Sequence, residues 1–429
     1  MRKYFLDFQK VKSLLNSRRF TKRLFITVTF FHIFIYWLIN VAVPVIYNWV
    51  PIWSLAIDLK LFFDQTNIFL MNPTFLYANT AHILFSFLNL PAFVLYTSAW
   101  YLPCQSLGLN LYQVLVSYDF SMILWNLCNC YLIYKIMSTN KVKAVLGDSI
   151  LSNPYIAMSF YMGSSMFLID YFVGQHNALV GFFLLLGILY YLNDKEHVAF
   201  FFWGIGIWFK LPIVIFIIVL ILHGSLKRFV KNAAFFALSQ APNAILFIAY
   251  PRLLPDFIGN LTSRFNAPLT GSTPVNMVAL LSFPPFNVDV TISNFVIFCI
   301  LLPQTAYVLI ESRKSINFFD KLMVITLLSI NLIQGEPNHV IMTLGVYVVW
   351  IATKNSGFHP SIRYLKLMLG FAYLSNLLWS VGFFFPVIFF LASIWLNVLI
   401  IFSKKPLHNI NSINLDNLAE PSNKGSQGR

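Results

Sequence analysis

Fifteen acidic side chains in 429 residues make every carboxylate conspicuous. Two of them, Asp58 and Asp64, stand six apart in Ala56-Ile57-Asp58-Leu59-Lys60-Leu61-Phe62-Phe63-Asp64, inside a stretch that is otherwise apolar and aromatic. Further along, Asp170 precedes Gly174-Gln175-His176-Asn177, which opens an apolar run. Lys210 stands two residues before Pro212, Arg252 follows Tyr250-Pro251, Arg264 comes next, and Glu336-Pro337-Asn338-His339 joins two later apolar runs. A carboxylate in such a setting can take the proton of an attacking hydroxyl. Lysine, arginine and histidine can stabilise phosphate charge. Together with the amides, this set suits an anionic lipid headgroup and a polar substrate.

The elements carrying these groups have to be membrane helices. Apolar residues make up 58% of the chain and charged residues 10%, with a mean hydropathy of +0.72, whereas a soluble domain carries about 25% charged residues. The balance of 29 Lys+Arg against 15 Asp+Glu, a net +14, is read first as an orientation signal. Nothing resembles a nucleic-acid module, so no nucleic-acid partner is expected. Cys104, Cys128, Cys130 and Cys299 lie in or beside apolar stretches and read as packing residues. Leu24 to Tyr47 is too long for a signal-peptide core and reads as a retained first helix.

Residues 2–23 hold eight basic residues against Asp7, which predicts a cytoplasmic N-terminus. The expected fold is all-α, a polytopic transmembrane helical bundle of about twelve crossings with both termini cytoplasmic. The spans are 24–47, 111–134, 150–168, 177–192, 198–209, 211–224, 229–250, 291–311, 318–334, 338–354, 364–383 and 385–402. Segment 82–101 is apolar enough to cross, but crossing would move Lys135, Lys141 and Lys143 outside, so it reads as an outer-interface helix broken at Pro91. That choice leaves 25 of the 29 basic residues inside, all but Lys60, Lys210, Arg252 and Arg264. The first extracytoplasmic loop, from Asn48 to about Asn110, reads as amphipathic pieces on the membrane. Residues 198–209 and 211–224 form a short hairpin opening at Lys210, since twelve residues reach about 18 Å against a core of about 30 Å. Residues 1–23 form a basic cytoplasmic segment, 24–402 the membrane domain, and 403–429 a disordered cytoplasmic tail. The sequon Asn260-Leu261-Thr262 falls in an outer loop.

The order Asp58-Leu59-x-x-Phe62 after the first helix, Gly174-Gln175-x-Asn177 opening a helix, and Lys210-x-Pro212 one hairpin later resembles the GT-C superfamily of integral-membrane glycosyltransferases. The nearest likeness is to its polyprenyl-phosphate-mannose-dependent branch, over roughly residues 24–354. The aromatic-Pro-Pro signature of that family's first outer loop is absent, and a frequent tyrosine is Phe62 here. The resemblance implies a hexose, mannose above all, moved from a polyprenyl-phosphate carrier to a lipid-linked or protein-linked glycan acceptor outside the cytoplasm. The membrane would be a prokaryotic plasma membrane or the endoplasmic reticulum. Asp58 matches the family's base. Because a polyprenyl phosphate is already a good leaving group, one carboxylate suffices, with inversion at the anomeric carbon. Lys210, His339, Arg252 and Arg264 are the candidate phosphate cations, and Asp64, Gln175, His176, Asn177 and Glu336 the candidate substrate contacts. No cofactor is implied, and the absence of HxxxH, DxD or clustered carboxylates leads us to expect no required metal.

Each residue has a plainer reading. Asp58 and Asp64 fit the solvated face of an interfacial helix, and Lys210 can snorkel to outer headgroups. Arg252 can anchor a helix end, His176 and His339 can be helix-terminal polar residues, Glu336 can pair with a nearby cation, and Asp119 reads as a buried hydrogen-bonding residue. The rival class is a transporter or flippase for a lipid-linked or anionic solute, which also uses broken helices and embedded ionisable groups. A glycan polymerase or ligase relying on Arg252 and Arg264 is a third.

Overall fold

The computed structural model describes residues 15, 17–38, 42, 57–77, 89–147, 150–165, 167, 170–171, 174–210, 226–266, 277–282, 286–311, 318–332, 340–354, 361–374 and 384–402. Among these the chain is all-helical, apart from one isolated bridge between Leu146 and Thr353. The helices are α1 (Arg18–Trp37), α2 (Ile57–Met71), α3 (Phe93–Ser106), α4 (Leu111–Ser138), α5 (Asn140–Lys143), α6 (Pro154–Met162), α7 (Asn177–Leu192), α8 (Glu196–Phe209) and α9 (Leu226–Ser239). They continue as α10 (Ala241–Ala249), α11 (Leu253–Asn266), α12 (Met277–Ser282), α13 (Val290–Glu311), α14 (Phe318–Leu332), α15 (Ile341–Ala352), α16 (Ile362–Leu374) and α17 (Phe384–Phe402).

Local chemistry accounts for several starts. Asn110 and Gln113 form a reciprocal capping box at α4. Asn153 caps α6 ahead of Pro154, the first helical position and the one that needs no donor. Helix α3 begins just after Pro91, where the sequence places a break, but runs past 101 to Ser106. Helix α7 is the hub, packed against α4, α8 and α15. It can be apolar all round because it is buried all round. Its Gly187 leaves room for the Trp203 ring, whose Nε1 donates to the Leu184 carbonyl at 3.0 Å.

One described helix, Val290–Leu309 within α13, is long and apolar enough to cross a bilayer. The pair α9–α10 is a second if it is counted as one span, but it bends by 55° around Gln240, so the expected straight span 229–250 is broken. Helix α4 spans about 42 Å yet is interrupted by Gln113, Ser117, Asp119, Ser121, Asn126 and Asn129. Apolar side chains line outward faces at helical spacing: Ile26, Phe30 and Phe34 on α1, Ile292, Phe295 and Phe298 on α13, and Leu367 and Phe371 on α16. Cys128 and Cys299 are exposed; Cys104 and Cys130 pack inside as expected. Helix α2 also departs from an interfacial piece. Leu59, Phe62, Phe63, Gln65 and Thr66 are all buried, and Thr66 Oγ1 meets Thr97 Oγ1 of α3 at 2.5 Å. Residues 211–224 and the tail 403–429 lie outside the described residues, as do most of 1–17 and of 39–56.

Candidate functional site

The site forms where the turn before α7 presses on the first turn of α2. The backbone N–H groups of Gly174 and Gln175 both donate to the Asp170 carbonyl, at 3.0 and 2.9 Å. Gly174 has φ +74°, open to glycine and costly for other residues. A Cβ there would lie 2.7 Å from the Leu59 Cβ, so the turn rests directly against α2 beside Asp58. The next side chain completes the contact: the Gln175 amide donates to Asp58 Oδ2 across 117 positions of sequence. Gln175 is buried and Asp58 half-buried, so the amide orients a carboxylate that keeps access to the outside.

A second acid–amide pair lies beneath it. Asn177 Nδ2 donates to Asp170 Oδ1 at 2.6 Å, and Asp170 is 1% exposed. Burial pushes the Asp170 carboxyl up to about 7, with the Asp58 charge adding to the rise and the Asn177 bond and the Lys210 charge opposing it. Lys210 and Asp58 are therefore both within electrostatic reach of Asp170. Lys210 is the extended residue that ends α8, with φ −152° and ψ 114°.

The last carbonyls of a helix lack intrahelical partners, and side chains supply them here. Phe209 O accepts from His176 Nε2 at 3.1 Å and from Asn89 Nδ2 at 3.2 Å. His176 holds the N-cap position of α7 but makes no capping bond with its side chain. It is fully buried among Phe62, Phe93 and Phe209, with ring centroids 5.1, 4.8 and 5.6 Å away. Burial first, and then the Lys210 charge, hold its pKa well below the usual value, so it is neutral and Nε2 carries the proton. The structure thus makes His176 a strut between α7 and the residue before Lys210, where the sequence suggests a substrate contact.

The remaining candidates separate. Asp64 is exposed, about 120° around α2 from Asp58; burial raises its pKa and Lys60 opposes the rise. Arg252 is exposed and its Nε pairs with Asp256 Oδ2 at 3.3 Å, one turn along α11. Arg264 falls in the last turn of α11 with its side chain outside the described residues, and Glu336 and His339 lie outside them altogether. The sequon is not in a loop. Asn260 is a buried residue of α11 whose Nδ2, the atom a glycan would occupy, donates to the Tyr77 carbonyl at 3.2 Å. Among the described residues, no group of three or more His, Cys, Asp or Glu is placed to hold a metal ion.

The sequence places Asp170 in the polar set but assigns it no part of its own, and the polar chain behind it was missed. Asn129 Nδ2 donates to Tyr161 Oη and to the Ala178 carbonyl, both at 2.8 Å; Tyr161 donates to Asn126 Oδ1 at 2.9 Å, and Asn126 Nδ2 to Tyr171 Oη at 2.8 Å. Tyr171 donates to His32 Nε2 at 2.7 Å, because His32 Nδ1 must give its proton to the Met162 carbonyl at 2.9 Å. This chain ties α1, α4 and α6 to the turn and to the first turn of α7. Its one sequence signal is Asn126 and Asn129, three apart on a single face of an apolar helix. Asp119 is fully buried as expected, but among the described residues neither carboxylate oxygen has a hydrogen-bond partner, and it interacts electrostatically with Asp170. No protein-family model matches this chain, and no curated protein matches it significantly.

Proposed function

We propose that the chain is a multi-pass membrane glycosyltransferase of the GT-C type that moves a hexose from a polyprenyl-phosphate carrier to a glycan or glycolipid acceptor at the extracytoplasmic face. The observation that carries the reading is the pairing of Asp58 with Gln175, because it brings two of the three motif elements behind the resemblance into one site. The third, Lys210, reaches the same site through Asp170. In this reading Asp58 accepts the proton of the acceptor hydroxyl as its oxygen attacks the anomeric carbon. The bond to the carrier phosphate breaks with inversion, and Lys210 offsets the charge developing on the leaving phosphate. Gln175 holds the carboxylate in line. The outward-facing apolar stripes and the low share of charged residues support the membrane setting. The test is transfer from a radiolabelled polyprenyl-phosphate hexose by membranes carrying Asp58→Asn. Loss of a general base costs about 10²–10⁴-fold; full transfer at normal expression removes Asp58 from the mechanism.

A second reading, a proton-coupled transporter or flippase, is favoured by Asp119, a fully buried acid with no hydrogen bond among the described residues and interacting with Asp170. Thiol labelling of Asp58→Cys and Lys210→Cys variants separates the two. Labelling from the outer side alone supports the transferase, whereas labelling from both sides supports transport.

A further inference from the structure

Helix α9 has three faces. At 100° per residue, Asn232 and Ser239 point into the protein and are buried, and Phe235 and Phe236 flank them. Trp208 Nε1 donates to the Ser239 carbonyl at 3.0 Å, Gln240 Nε2 donates to the Gly204 carbonyl at 2.7 Å, and the His197 and Phe235 rings meet at 4.7 Å. These bonds fix the roll of α9 on α8. Outward lies an apolar stripe of Leu226, Phe229, Val230 and Ala237, with Leu226 78% and Val230 58% exposed, while the exposed Leu238 falls on the neighbouring edge. Beside it runs a basic edge of the exposed Lys227 and Lys231, with Arg228 half-buried at its border with the inward face. The turn into α8 brings Lys195 to the same end. His197 registers the field: burial lowers its pKa first, then Lys231 and Lys195, with Glu196 opposing. Of the two acids in that turn, Asp194 is taken by Lys141 at 2.6 Å.

The geometry points to a site for an anionic phospholipid at the inner end of the α8–α9 pair, with Lys195, Lys227, Arg228 and Lys231 around the headgroup phosphate and Leu226, Phe229 and Val230 along the acyl chains. The charge complementarity is specific to a lipid. A soluble anion has no use for the apolar stripe, and a neutral lipid has none for the cations. The site rests on the membrane reading above and is independent of the transfer chemistry, at whose opposite face it lies.

The test is native mass spectrometry of the full chain, extracted from nanodiscs of equimolar phosphatidylglycerol and phosphatidylcholine. Each basic residue at a membrane surface contributes about fivefold in affinity for anionic lipid. Lys227→Gln/Arg228→Gln/Lys231→Gln is therefore expected to lower retained phosphatidylglycerol at least tenfold and leave phosphatidylcholine unchanged. Lys227→Arg/Lys231→Arg should retain it, as should Lys22→Gln/Arg23→Gln, which alters another exposed basic pair on α1. Unchanged retention in the triple variant overturns the site. Equal loss in the α1 variant also overturns it, because the binding is then a general property of the basic surface. Hexose transfer is measured on the same samples, so failure of the catalytic reading registers separately.

Discussion

Gly174→Ala is the substitution on which the site's construction turns. Two costs add. An L side chain in the left-handed region costs about 1–2 kcal/mol, and Gly174 sits at φ +74°. The new methyl would meet the Leu59 Cβ at 2.7 Å, the Leu115 Cδ1 at 3.3 Å and the Leu59 backbone nitrogen at 3.4 Å, an overpacking worth about 1–3 kcal/mol. The sum, ~2–5 kcal/mol, is relieved if the turn backs away from α2, and that movement breaks the Gln175–Asp58 bond. At 1.4 kcal/mol per decade, the engaged population falls by about 30-fold to several thousand-fold. Two assays read this. Asp58→Cys with Gln175→Cys, in a chain whose native cysteines are replaced, should cross-link through a short bifunctional thiosulfonate, and Gly174→Ala should suppress that product. Transfer by Gly174→Ala should fall by about 10²-fold, the usual cost of misplacing a catalytic group by an ångström. Leu59→Ala should not rescue it, since alanine keeps the offending Cβ, whereas Leu59→Gly should restore part of the cross-link. Undiminished cross-linking in Gly174→Ala would show that the turn does not hold Gln175 on Asp58.

Three further outcomes follow from the same geometry. Asp170 titrates near 7 in the folded chain against an ordinary value of 3.8. The folded state therefore binds the extra proton, and stability is greatest below about pH 4 and falls as pH rises through 7, by up to ~4 kcal/mol. Asp170→Asn should flatten that slope in thermal melts of the detergent-solubilised protein, and an unchanged slope refutes the assignment. Lys210→Met should weaken binding of the polyprenyl-phosphate donor by roughly 10- to 150-fold, the worth of a charged hydrogen bond, and equal affinity would take Lys210 out of the site. Arg252→Ala, removing an exposed pair with Asp256, should change stability by less than about 1 kcal/mol and leave donor affinity alone; a tenfold loss of donor binding would restore Arg252 to the site.

The helical character, the start of α4 at 111, the break at Pro91 and the short helix ending at Lys210 were legible in the sequence, because each depends on neighbours within a turn or two. Asp58 and the turn 174–177 also stand out in the sequence, as polar residues that interrupt apolar runs. Other features were missed there. Helix α2 has an apolar pattern that suits a membrane surface as well as a core, and only packing on α3 and the α7 turn makes it a core helix. The bend at Gln240 falls where Pro242 opens α10, a local breaker that the expected straight span 229–250 passes over, and the Gln240 bond to the Gly204 carbonyl of α8 holds it. Candidate cations were equal by type and separated by position: Lys210 lies near Asp170, while Arg252 is engaged one turn away with Asp256. His176, which in the sequence could touch a substrate or cap a helix, reaches the Phe209 carbonyl, an acceptor that exists only where α8 ends beside it. Composition and spacing alone thus determined that this chain is helical, that its few charges carry the information, and that Asp58 stands among them. Only the tertiary structure decided which amide holds Asp58. A hydrogen bond spanning 117 residues depends on how four helices and one left-handed glycine fit together, and local sequence carries no trace of that fit.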